Sequence, residues 1–102
     1  MAHDRRSRSR LRAGELLLTD DIDAATEEYL AVATQISRAL LLRHGEYPLS
    51  RPELSKQLLA RGETMLAADL ERLSDRECDK EQLRQIGRDL HAALALDAVK
   101  TR

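Results

Sequence analysis

A chain with nineteen leucines and fourteen alanines but no phenylalanine and no tryptophan must build its interior from aliphatic side chains. Leu and Ala lead the helix scale, whereas strands draw on β-branched and aromatic residues that this sequence largely lacks. The composition therefore predicts long helices joined by thin Leu/Ala seams. At 102 residues there is room for one such core.

Three helices are predicted from periodicity and caps. The first spans about 20–44: Thr19 or Asp20 is placed to cap it, Asp20, Asp21 and Asp23 complement the positive end of its dipole, and Gly45 stops it. Ile22, Ala25, Tyr29, Val32, Ile36 and Leu40 share its apolar stripe. The second spans about 51–73, with Pro52 in the first turn, Ser50 and Glu53 spaced as a capping box, and Leu49 and Leu54 as a hydrophobic staple. Its apolar phase passes through Gly62 unbroken, which predicts one continuous helix with that glycine on the buried face. The third spans about 80–99 behind two competing capping boxes, Ser74 with Glu77 and Asp79 with Gln82. The expected fold is all-α, a three-helix up-down-up bundle over residues 19–102.

Residues 1–18 read differently. Arg5, Arg6, Arg8, Arg10 and Arg12 face a single Asp4 before residue 13, so this stretch carries +4 and the remainder −5 with His neutral. No apolar period precedes Leu11, and the segment is expected to be a basic, flexible arm with a Leu16–Leu18 junction. Such an arm suits nucleic-acid phosphates or an acidic partner, although no aromatic side chain stands among the arginines to stack a base. Fourteen arginines against three lysines are the usage of a GC-rich bacterial or phage genome.

Chemistry is not written into the sequence. His3, His44, His91 and Cys78 stand at no ligand spacing, and no nucleophile, base and acid converge by motif; no catalytic, metal or cofactor residue is assigned, and no small-molecule substrate is expected. A helix–turn–helix reading of 52–73 would offer DNA the acidic Glu63 and Glu71. With one cysteine, no spanning apolar run and no secretory leader, the expectation is a cytoplasmic protein without a membrane partner. Two acids break the pattern: Asp69 falls inside the apolar arc of the second helix and is a candidate buried polar group, and Asp97 falls on the stripe of the third.

The function expected is therefore contact rather than catalysis. Leu41 and Leu42 project away from the stripe of the first helix, and Leu96 and Val99 project opposite that of the third, so these four are the expected partner interface. They suit a non-enzymatic adapter, inhibitor or chaperone-like regulator, acting on a protein partner or as a homodimer. The alternative is a small nucleic-acid-binding regulator that uses the arginine arm.

Overall fold

The computed structural model describes the backbone of residues 2–18 and 20–100 and the side chains of 6–18 and 20–96. It comprises five helices, with no strand among the described residues: α1 (Ala2–Leu17), α2 (Ile22–Arg43), α3 (Arg51–Ala60), α4 (Thr64–Asp75) and α5 (Lys80–Lys100). The all-α class agrees with the composition. The three-helix count does not, and it fails in two places.

The arginine-rich segment is a helix rather than a flexible arm. Ser7, Leu11, Gly14 and Leu18, spaced four, three and four residues apart, share one helical edge and are all buried. Two of the four are not large apolar residues, yet each has a specific partner on α2. The Ser7 hydroxyl donates to Gln35 Oε1 at 2.8 Å. Gly14 lets the Tyr29 ring lie against the backbone, where a Cβ would stand 2.7 Å from Tyr29 Cε1. Residue 7 meets residue 35 and residue 14 meets residue 29, so α1 docks antiparallel on α2.

The helix predicted over 51–73 is two helices, broken at Gly62. There the Glu63 N–H donates to the Leu58 carbonyl at 2.9 Å and the Gly62 N–H to that of Leu59 at 3.0 Å. This is a Schellman closure, which requires a left-handed residue, and Gly62 has φ +80°. Nothing lies within 4 Å of where its Cβ would sit, so backbone conformation and not a close approach selects glycine. The phase runs through the break because α3 and α4 both turn apolar sides inward. Met65, which helical spacing would place on the buried side of a continuous helix, is 64% exposed.

The central helix is α2, which touches the other four. Its buried Thr26, Thr34 and Ser37 hydroxyls donate to the carbonyls of Ile22, Leu30 and Ala33, so none is left unsatisfied. Asp21 caps it by accepting from the Ala24 N–H at 3.0 Å, while Thr19 lies outside the described residues. Arg61, just before α4, reaches Glu46 and the His44 carbonyl at the C-terminal end of α2, and Arg76, just after α4, pairs with Glu27. Hence α4 runs antiparallel to α2, and α5, turning back after it, runs parallel.

The start of α5 is closed by the expected box: the Asp79 N–H donates to Gln82 Oε1 and the Gln82 N–H to Asp79 Oδ1. The box expected at α3 forms differently. Ser50 gives the backbone no cap, its hydroxyl donating to Glu53 Oε2 at 3.3 Å, and Leu49 stays exposed while Gln57 takes its N–H.

Candidate functional site

Because the Ser7, Leu11, Gly14 and Leu18 edge is committed to the interior, the arginines interleaved with it face outward. Arg6, Arg8, Arg10 and Arg12 are exposed; the side chain of Arg5 lies outside the described residues. Arg10 reaches Glu28 of α2 at 3.6 Å on one flank. Arg8 and Arg12 share the other flank with Glu15 by helical spacing, and Glu15 meets His91 of α5. Arg6, Arg8 and Arg12 have no ion pair among the described residues.

Antiparallel docking turns the start of α1, with Arg6 and Arg8, toward the half of α2 that bears Arg38 and Arg43, while Arg10 and Arg12 lie beside its middle. The opposite end holds Asp20, Asp21 and Asp23 beside Asp75, Glu77 and Asp79 of the α4–α5 turn. Arg76 and Lys80 stand in that same turn and Arg51 lies across the cleft from Asp75, so this end is mixed in charge with an excess of acidic groups. Arg6 begins the second turn of α1, and Arg8, Arg10 and Arg12 lie further from the positive end of its dipole.

Of the four residues expected to form an apolar interface, the three whose side chains are described do not form one patch. Leu41 is fully buried and belongs to the core, because the Schellman turn at Gly45 and the return of α3 enclose that side of α2. Leu42 is 57% exposed and Leu96 61%. By helical spacing, Leu42 lies away from the Tyr29 side of α2 that meets α5, and Leu96 lies opposite the Leu83 and Leu90 edge of α5. The two therefore share an end of the molecule but face different ways. The side chains of Val99 and Asp97 lie outside the described residues.

Asp69 is buried, with 4% of its surface exposed, and its Oδ2 meets no donor. Burial, then the hydrogen-bonding carboxyl of Asp89 on α5 and that group's charge, push its pKa up to about 7, with the Arg72 guanidinium pulling the other way. Nothing in the sequence marks Asp89 as its partner, since that residue sits among Gln85, Arg88 and other polar neighbours. Tyr29 is fully buried with its hydroxyl unpaired, and burial, helped by the Glu15 charge, raises it to about 12. Burial likewise raises the Cys78 thiol, which argues against a reactive thiolate. Arg61, hydrogen-bonded to Glu46, holds that carboxyl below its ordinary value.

A cleft of about 420 Å³ opens between α3 and α4, lined by Arg51, Pro52, Ser55, Glu71, Ser74 and Asp75. It brings no nucleophile and base together. Among the described residues, no three His, Cys, Asp or Glu side chains are grouped to hold a metal ion, and no helix is long and apolar enough to cross a membrane.

Fold and surface together define a class, a five-helix all-α domain with a docked basic helix at its edge. Compared with protein-family models, curated proteins and solved structures, the chain matches none.

Proposed function

We propose that this protein is a small non-enzymatic binding protein whose working surface is the outer face of α1 and whose partner is the phosphate backbone of a nucleic acid. The observation that carries the reading is the orientation of the arginines. A buried edge holds the helix, so Arg6, Arg8 and Arg12 are displayed on a fixed scaffold with no ion pair among the described residues. A flexible arm would have to be ordered on binding; a docked helix presents its charges already in register, which lowers the cost of association. The acidic far end orients the molecule, since it repels the polyanion that the basic end attracts. Backbone contact of this kind supplies affinity and little sequence preference.

Salt-dependent binding tests it. Anisotropy with a labelled 20-base-pair duplex should show affinity falling with salt at a slope matching about three to five released counterions. Replacing Arg6, Arg8 and Arg12 with Gln should reduce both affinity and slope without loss of helicity. No binding at about 50 mM salt, or binding untouched by the triple substitution, would remove the reading. Capture of an acidic protein instead would turn it into an adapter.

A second reading, contact with a protein partner or a second copy through apolar side chains, is favoured by the α2–α3 corner. There Tyr47 is 81% exposed and Leu42 and Leu49 are exposed beside it in the chain. Replacing Tyr47 and Leu49 with Ser should then lower the solution mass or abolish partner capture.

A further inference from the structure

We propose that Asp69 of α4 and Asp89 of α5 form a proton-held latch, in which one shared proton keeps together two helices that otherwise hardly touch. Although consecutive in sequence, α4 and α5 each pack on α2 far more than on one another. Between them Asp69 is buried with its Oδ2 short of any donor, and the group its carboxyl meets is a second carboxyl. Two carboxylates cannot hydrogen-bond without a proton, so the missing donor is the proton itself.

Among the described residues the surroundings supply no substitute. From α5, Asp89 is held by Gln85, whose Nε2 donates to Asp89 Oδ1 at 3.1 Å. From α4 itself, Arg72 is the cation whose charge reaches Asp69, and it is exposed. The connection brings Cys78, whose thiol feels Asp69, and Asp79, which is engaged with Gln82. From α2, Glu27 is paired with Arg76, and from α3, Arg51 lies across the cleft from Glu71 and Asp75. The turn on which the helices part is itself strained, since Arg76 is a non-glycine residue at φ +56°.

The direction of the pH effect follows from which state holds the proton more tightly. The closed state binds it up to about pH 7, whereas an opened, hydrated Asp69 releases it near the ordinary Asp value of 3.8. Closure is therefore fully supported in acid, weakens through that window, and has lost the proton's contribution above about pH 7. This latch is independent of the α1 reading and can fail or stand without it.

Native-state hydrogen exchange tests it, with rates corrected for intrinsic base catalysis. Protection of amides in the second half of α4 and the first half of α5 should fall by about tenfold per pH unit between pH 5 and 7 and then level off. The interface of α1 with α2 should not share that step. In Asp69→Asn the side-chain amide donates to Asp89 in place of the proton, and the step should vanish. If that variant does not fold, Asp89→Asn, at a half-buried site, provides the same donor from the other side. A wild-type protein without the step, a step kept in the variants, or a loss of protection spread over all five helices would each overturn the latch.

Discussion

Gly14 and Tyr29 are fitted to each other across the α1–α2 contact: the ring occupies the space that any other residue at position 14 would fill with its Cβ, 2.7 Å from Cε1 and 2.9 Å from Cδ1. On the other side, a Cβ at Gly87 of α5 would stand 3.1 Å from the Tyr29 hydroxyl. One aromatic ring thus joins three helices, and two glycines make room for it. Gly14→Ala should cost about 1–3 kcal/mol by overpacking, read from urea unfolding, and should loosen α1. Gly87→Ala should cost less, because the nearest approach there is 3.1 Å rather than 2.7 Å. Tyr29→Phe removes a buried hydroxyl that has no partner and should be neutral or stabilising; a loss above about 1 kcal/mol would mean that the hydroxyl is bonded after all.

The edge that docks α1 carries a second prediction. Deleting residues 1–12 takes away Leu11, fully buried, and the Ser7 bond to Gln35. It also exposes the Tyr29 side of α2. Removing one buried leucine from the core costs about 1.5–3 kcal/mol, so the deletion should lower the thermal midpoint by several degrees at least. An unchanged midpoint would place this helix outside the cooperative unit.

How far the fold can be read from the sequence is clear from where reading succeeds. The helices α2 and α5 fall within about two residues of their expected bounds, because each has a long unbroken stripe and an acidic start, and Asp79 with Gln82 closes as the spacing requires. The helix α1 was not legible, because half of its buried edge is Ser7 and Gly14, which no hydrophobic count registers. What buries them is Gln35 and the Tyr29 ring, both supplied by another helix. The break at Gly62 was not legible from phase, because a three-residue turn between two inward-facing helices imitates continuity. At the candidate sites, Asp69 showed as an acid within an apolar arc. Its partner Asp89 did not, since on its own helix it is an ordinary polar residue.

Gly62 also gives a clean distinction between space and conformation. With open space around its missing Cβ and φ +80°, Gly62→Ala should cost about 1–2 kcal/mol through the left-handed backbone alone. Gly62→Leu should cost little more than Gly62→Ala in the same unfolding experiment. If the leucine variant is much the worse, the turn is more crowded than the structure has it, and a close helix contact would have to be restored.

Neighbours in sequence with opposite fates offer the last test. Leu41 is fully buried where the turn at Gly45 and the return of α3 close over α2, while Leu42 projects into solvent one residue later. Truncating Leu41 to Ala leaves a cavity that rigid neighbours fill only in part, so it should destabilise by about 2–5 kcal/mol. Leu42→Ala removes little packed surface and should stay within about 0.5 kcal/mol in the isolated chain. The sharper pair is the charged one: Leu41→Glu should abolish cooperative unfolding, whereas Leu42→Glu should fold normally. If Leu42→Glu is also lost, or if it alone changes the solution mass, then Leu42 is covered in solution by a second copy, and the protein-contact reading gains over the phosphate-backbone one. If both glutamate variants fold alike, Leu41 is not in the core and the enclosure of the α2 C-terminus described above is wrong.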